Sequence, residues 1–122
     1  MAKAASPIRS LPARSDFLRL AKLGHKYVTP TMIMQVEYPS SMNAVSSPIW
    51  LGLTATKKIG NAVLRNRARR RLRALARQAI GDYLPSGSKI VLIATTKTAQ
   101  APFETLAADL KKGLSALEGK RP

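Results

Sequence analysis

The chain contains no cysteine and a single histidine, His25. The lack of cysteine excludes disulfide bonds, thiol chemistry and cysteine-based zinc sites, and it leaves no disulfide argument for secretion. One histidine also excludes a metal site built from several histidines. We interpret His25 as a loop residue, because a lone histidine without a partner is a poor candidate for acid–base catalysis.

Long apolar segments are missing as well. The longest uninterrupted apolar run covers residues 90–94, whereas a membrane-spanning helix needs about 20 apolar residues. Residues 1–12 contain two basic residues but lack the apolar core of a signal peptide. We therefore expect a cytoplasmic protein without a membrane partner. The length of 122 residues predicts a single domain over 1–122, with flexible ends at 1–12 and 118–122.

Acidic residues are few and scattered. Six Asp and Glu stand against 21 Lys and Arg, so the net charge is +15. Such a charge favours nucleic acid, an anionic membrane surface or another polyanion as the partner. Metal-dependent cleavage of RNA requires clustered carboxylates, and the acids here do not cluster; they are Asp16, Glu37, Asp82, Glu104, Asp109 and Glu118. We therefore predict no catalytic residue in the protein itself.

The hydrophobic pattern predicts alternating helices and strands. Period-2 alternation indicates strands, and apolar residues repeating about every 3.6 positions indicate helices. The predicted elements are a helix at 15–23, strands at 31–38 and 49–56, a helix at 62–80, a strand at 89–94 and a helix at 103–117. This order predicts an α/β (α+β) two-layer sandwich, in which helices cover a small sheet of three or four strands.

Nine of the basic residues form one block between Lys57 and Arg77, inside the acid-free stretch that Glu37 and Asp82 bracket. On the predicted helix at 62–80 the arginines are i,i+4 neighbours, and each like-charge pair costs about 0.2–0.5 kcal/mol. An ordinary solvated helix face would interleave acids, so the pattern favours a polyanionic partner. From residue 65 onward the block contains arginine alone, whose guanidinium forks onto phosphates and stacks on bases, as contacts with structured RNA require.

The turn before this helix adds a second signal. Gly60 breaks the preceding segment, and Asn61 is a favourable N-cap for the helix. The free backbone N–H groups of a helix N-terminus can bind a phosphate. Lys57 and Lys58 lie in the loop that leads to this position.

The stretch from Leu51 to Gln78, LGLTATKKIGNAVLRNRARRRLRALARQ, resembles the bacterial ribonuclease P protein component. That family has a strand ending in Lys-Lys, a Gly-Asn-Ala-Val turn and Arg-Asn-Arg at the start of a basic helix. Ser15-Asp16-Phe17 resembles the first helix of the family, and residues 89–94 and 103–117 resemble its last strand and helix. The resemblance therefore covers almost the whole chain.

The resemblance implies a protein subunit that joins ribonuclease P RNA and helps it to remove the 5′ leader of precursor tRNA. The RNA subunit and its bound Mg²⁺ would carry the catalysis of this endonuclease, and no small-molecule substrate is expected. Charge and size fit a non-catalytic RNA-binding module equally well, such as a ribosomal protein or an RNA chaperone. Only the Lys-Lys, Gly-Asn-Ala-Val and Arg-Asn-Arg arrangement separates the two readings.

The resemblance also implies which residues bind RNA. Arg77 continues the same row of i,i+4 arginines, and we include it with them. The predicted RNA-binding residues are Lys57, Lys58, Asn61, Arg65, Asn66, Arg67, Arg69, Arg70, Arg73 and Arg77. Phe17 matches an aromatic residue in a cleft between the first helix and the sheet, where the leader binds. The family further implies a left-handed crossover around the basic helix, although general topology favours right-handed connections.

The sequence departs from the family pattern in three places. Leu20 and Ala21 stand about one turn after Phe17, where the family often has a second aromatic residue. Gln35 stands where the family often has an aromatic within the strand, and Arg71 stands where an apolar residue is usual. For Phe17 itself, packing in the core and a place in the cleft are equally good interpretations, because an aromatic on an amphipathic helix usually packs. For Trp50 we favour packing under a helix. For Asn66, the alternative of an incidental polar residue without a role in RNA binding stays open.

Overall fold

The computed structural model describes residues 7–39 and 47–119 of the chain. Five strands of this part form one mixed sheet, in the order β1-β4-β5-β3-β2. Strand β4 is parallel to β1 and β5, while β3 is antiparallel to β5 and β2. The strands are β1 (Ile8–Ser10), β2 (His25–Val28), β3 (Met32–Glu37), β4 (Ile49–Thr54) and β5 (Lys89–Ala94).

Three α-helices accompany the sheet in the described ranges: α1 (Arg14–Leu23), α2 (Ala62–Ala79) and α3 (Phe103–Glu118). Short 3-10 turns at Lys57–Ile59 and Ile80–Asp82 flank α2. The predicted α+β class and the three helices are confirmed. Phe103 differs from its prediction, because it is 38% exposed rather than part of the buried face of α3.

The helices cover both faces of the sheet. Met34 on β3 and Leu92 on β5 belong to the larger core, which α2 and α3 complete. Val91 points to the opposite face and packs with Leu20 of α1 and with Leu11. The predicted two-layer arrangement is therefore corrected to a sheet with a helix on its second face. The physical reason is that β5 is apolar on both sides, so both sides must be kept from water.

The two strands missing from the sequence prediction are the edge strands β1 and β2. They have three and four residues, which is too short for an alternation pattern to be recognised. Backbone pairing with β4 and β3 defines them instead. The interpretation of His25 as a loop residue was thus wrong, since it pairs with Val36 within β2. Residues 8–10 form strand β1 and Glu118 ends α3, so these parts of the segments expected to be flexible have regular secondary structure; their flexibility stays a prediction.

The remaining expectations concern connections. Most of the loop predicted at 39–48 lies outside the described residues, because 40–46 are not described. Residues 1–6 and 120–122, parts of the ends expected to be flexible, also lie outside them. Strand β4, helix α2 and strand β5 form a parallel crossover; its left-handedness stays a prediction. Within the described ranges, no helix combines the length and apolar character needed to cross a bilayer.

Candidate nucleic-acid interface

A tight turn places the N-terminus of α2 next to two lysines. Gly60 has a φ angle of 140°, a conformation that residues with a Cβ rarely adopt. The side chain of Asn61 then caps the helix, because its Oδ1 accepts a hydrogen bond from the Leu64 N–H at 3.0 Å. Lys57 and Lys58 are exposed immediately before this turn. The predicted turn and cap are confirmed, and they leave the remaining N–H groups of the first helical turn available to an anion.

Helix α2 divides into a buried apolar stripe and an exposed arginine face. Leu72 and Leu75 are buried in the core, whereas the opposite face exposes Arg67, Arg70, Arg73 and Arg77. All six acidic side chains of the chain lie within the described residues, and none forms an ion pair with α2; the two ion pairs are Arg19–Glu37 and Lys89–Asp16. Within residues 7–39 and 47–119, no carboxylate therefore pairs with the positive charge of α2.

Asn66 contacts a further arginine of α2, Arg69. Its Oδ1 accepts a hydrogen bond from Nη1 of Arg69 at 3.1 Å, while Nη2 of the same guanidinium donates to the carbonyl oxygen of Ala55 at 3.4 Å. Asn66 and Arg69 line a surface depression of about 470 Å³ together with Val63, Arg70 and Arg73. The hydrogen bond gives Asn66 a definite structural partner, and so speaks against an incidental role.

Arg71 points away from the exposed face. Its Nη1 donates to the carbonyl oxygen of Thr98 at 2.7 Å, and its Nη2 donates to that of Ala101 at 2.6 Å. Burial lowers the pKa of the Arg71 guanidinium below its usual value, and the nearby charge of Arg67 lowers it further. Arg71 therefore ties α2 to the connection between β5 and α3, which explains how arginine is accommodated at a position where the family usually has an apolar residue.

A polar chain continues from that connection into the core. Thr98 is fully buried, and its hydroxyl donates to the carbonyl oxygen of Thr31 at 2.6 Å. The Thr31 hydroxyl in turn donates to Asp109 on α3 at 2.6 Å. No periodic pattern in the sequence predicts these contacts, because each joins residues far apart along the chain.

Phe17 lies in a groove at the outer edge of β4. A Cβ atom at position 52 would lie 2.5 Å from Cε1 of Phe17, so the ring rests directly on the backbone of Gly52. The groove has a volume of about 180 Å³, and Arg69, Arg73 and Arg77 of α2 also line it. Phe17 packs against the small core formed by Leu11, Leu20 and Val91 as well. Both interpretations of Phe17 are therefore compatible with its position.

The positions where the family often has further aromatics contribute no ring to the groove. Gln35 is 5% exposed, so its side chain is directed into the protein. Ala21 is exposed on α1. Trp50 is partly buried against the same small core as Phe17, which confirms that it packs. Phe17 is thus the one aromatic residue among those that line the groove.

No metal-binding cluster accompanies this interface. Among residues 7–39 and 47–119, no group of three or more His, Asp or Glu side chains is arranged to hold a metal ion. His25 has its ring centroid 5.9 Å from that of Tyr38. What the arrangement offers is a positively charged helix, a helix N-terminus and a groove with one ring, which are the components of an RNA-binding surface.

Comparison with known proteins identifies the family. The family model described as ribonuclease P matches residues 7–118. The chain belongs to the ribonuclease P protein family. It is similar to the ribonuclease P protein components of Ruegeria pomeroyi, with 39% identity over 98% of this chain and 94% of the relative, and of Paramagnetospirillum magneticum, with 36% identity over 90% and 83%.

Solved structures of ribonuclease P proteins share the fold. The protein from Staphylococcus aureus superposes with a TM-score of 0.72 at 23% identity, covering 94% of this chain and 96% of that one. The protein from Thermotoga maritima gives a TM-score of 0.70 at 25% identity, covering 88% and 96%. The chain is therefore a protein subunit of ribonuclease P, the ribonucleoprotein that processes the 5′ ends of tRNA. This decides against the alternative of a ribosomal protein or RNA chaperone.

Proposed function

We propose that the exposed face of α2 binds the RNA subunit of ribonuclease P, and that the groove beside Phe17 holds the 5′ leader of precursor tRNA. The observation that carries this proposal is the uncompensated row of arginines on α2, of which Arg69, Arg73 and Arg77 border the groove. A positively charged groove with a stacking ring suits a single strand. Arg67 and Arg70 face outward, away from the groove, and would contact the folded RNA subunit.

The turn before α2 contributes a phosphate contact in this proposal. Lys57 and Lys58 bring two positive charges to the helix N-terminus that Asn61 caps. Arg65 is close to the same turn, since its Nη1 donates to the Gly60 carbonyl oxygen at 3.2 Å. An RNA phosphate at this point would meet backbone N–H groups, the helix dipole and lysine charge together.

We assign the chemistry to the RNA subunit and its Mg²⁺ ions, for which RNA phosphate oxygens are suitable hard ligands. The carboxylates of the protein are separated and several are engaged: Glu37 with Arg19, Asp16 with Lys89, and Asp109 with Thr31. The protein would then position the RNA strands and reduce their mutual repulsion. We place this work in the cytoplasm, where precursor tRNA is made in bacteria.

Reconstitution tests whether the RNA subunit, and not the protein, carries out the cleavage. The pure protein should not cleave precursor tRNA, whereas addition of the cognate RNA subunit and Mg²⁺ should produce mature 5′ ends. Replacing Asp82 or Glu104 by the corresponding amide should leave the rate of the chemical step nearly unchanged in single-turnover assays. Correct cleavage by the RNA-free protein, or a large loss of rate in either variant, would place the chemistry in the protein and refute the assignment.

A further inference from the structure

The N-terminal strand β1 forms a wall of the groove that Phe17 lines. The parallel register places Arg9 opposite Trp50 and places Ile8 opposite Ile49. Because side chains alternate between the faces of a sheet, Arg9 lies on the same face as Trp50 and helix α1. Arg9 also lines the groove itself, together with its neighbours in β1.

The charge of Arg9 has no partner within the described part of the protein. Arg9 is exposed, and the two ion pairs there involve other basic residues, Arg19 and Lys89. No hydrogen bond of its guanidinium is found in those residues either. No described residue therefore competes with an anionic ligand for the Arg9 guanidinium in the groove.

The groove combines this arginine with three more on the other side. Strand β1 contributes Arg9, helix α2 contributes Arg69, Arg73 and Arg77, and no acidic residue lines the space between them. The last β1-side hydrogen bond to β4 runs from the Leu11 N–H to the Leu51 carbonyl oxygen at 2.9 Å. Beyond it the chain leaves the sheet edge and the groove opens, with the ring of Phe17 against Gly52. This arrangement suits a single nucleic-acid strand, because its unpaired bases can stack on the ring while the guanidinium groups contact its phosphates.

We propose that Arg9 contacts a phosphate of the 5′ leader, so that the strand is held between β1 on one side and α2 on the other. This inference rests on the leader-binding role proposed above and adds a residue outside the basic helix. It also gives a function to β1, whose pairing with β4 positions Arg9 across from the arginines of α2.

The test compares Arg9→Gln with Arg14→Gln in the reconstituted holoenzyme. Arg14 is a matched control, because it is an exposed arginine in the same region that does not line the groove. Arg9→Gln should weaken binding of a precursor with a leader of several nucleotides by about 3- to 10-fold, as expected for one lost phosphate contact, and should lower the salt slope by about 0.7. Arg14→Gln and Arg9→Lys should stay near the wild-type affinity.

The outcomes separate this inference from the function on which it rests. Mature tRNA, which has no leader, should bind equally well to wild type and Arg9→Gln. If the wild-type holoenzyme prefers the precursor but Arg9→Gln keeps that preference, Arg9 is not a leader contact, although the proposed function stands. If the wild type binds precursor and mature tRNA alike, this inference and the proposed leader-binding role of the groove both fail. Equal losses for Arg9→Gln and Arg14→Gln would indicate general electrostatics and also overturn the inference.

Discussion

At the scale of single residues, Arg70 and Arg71 are sequence neighbours with different surroundings. Arg70 is exposed beside the other outward arginines. Arg71 forks onto the carbonyl oxygens of Thr98 and Ala101. Hydrogen bonds from a charged donor contribute about 1.5–3 kcal/mol each, so Arg71 stabilises the protein while Arg70 is available to a partner.

We predict that Arg71→Leu lowers the melting temperature and leaves the salt slope of RNA binding unchanged, because two carbonyls lose their charged donor but no phosphate contact is lost. Arg70→Leu removes the same charge and serves as the control. It should retain the melting temperature and lower the salt slope by about 0.7–0.9. Thermal denaturation and RNA binding at several salt concentrations measure both quantities, and the reverse pattern would contradict the assignment of the two residues.

Phe17 allows a second prediction at this scale. Stacking on an unpaired base contributes about 1–3 kcal/mol, so Phe17→Ala should weaken binding of the precursor and spare mature tRNA. Phe17→Leu retains apolar packing against the small core and is the control for folding. It should lose precursor affinity while keeping more of the melting temperature. Equal losses for both tRNAs would show that the ring only packs.

Ala21 offers a gain-of-function variant on the same helix. Ala21→Phe adds a ring one turn after Phe17 on α1, at an exposed position where burial does not oppose the larger side chain. We predict tighter binding of precursor over mature tRNA in the reconstituted holoenzyme. Unchanged affinity for the precursor would show that the leader does not pass this part of α1.

At the scale of elements, α2 has two faces with different surroundings. Its apolar stripe holds it to the sheet and α3. On the opposite face, Arg67, Arg70, Arg73 and Arg77 are exposed and form no ion pair with an acidic side chain. The like-charge pairs destabilise the isolated helix. The N-cap by Asn61 and the hydrogen bonds of Arg71 to the Thr98 and Ala101 carbonyl oxygens offset part of that cost. The fold therefore holds the helix in place despite the repulsion among its arginines, and the RNA contact proposed above would relieve that repulsion.

We predict that replacing Arg67 and Arg70 together by Ala weakens binding to the RNA subunit without destabilising the protein. Each lost phosphate contact should lower the salt slope by about 0.7–0.9, and the melting temperature should hold or rise because like-charge pairs are relieved. Binding is measured against salt, and stability by thermal denaturation. A lower melting temperature with unchanged RNA affinity would mean that these arginines are structural.

At the scale of the whole molecule, the dominant feature is the large positive net charge. The net charge is +15 on 122 residues, and two ion pairs are found in the described ranges. Self-repulsion therefore opposes the compact state, and anions that bind the folded protein should relieve it.

We predict that sulfate or phosphate raises the melting temperature much more than chloride does at equal ionic strength. Bound divalent or polyvalent anions would occupy the phosphate positions near α2, whereas chloride mainly screens. Thermal denaturation in matched salts measures the effect. Equal shifts for all salts would indicate screening alone and no built anion sites.

The sequence by itself determined the features that depend on neighbouring residues. Periodicity located α1, α2, α3 and the three long strands, Asn61 marked the start of α2, and the arginine spacing defined its outward face. These signals are local, since capping and amphipathic spacing act within a few residues. The central strand β5 was also recognisable, because it is apolar on both faces.

Only the tertiary structure decided what distant segments do together. Strands β1 and β2 exist through pairing with β4 and β3, and Arg71 turned inward because the Thr98 and Ala101 carbonyls lie where α2 packs. The groove likewise joins Arg9, Phe17 and Arg77 from three separate elements. Such contacts depend on the pairing of strands that are distant in sequence and on the hydrogen-bond partners available to buried polar groups. Neither produces a periodic pattern in the sequence.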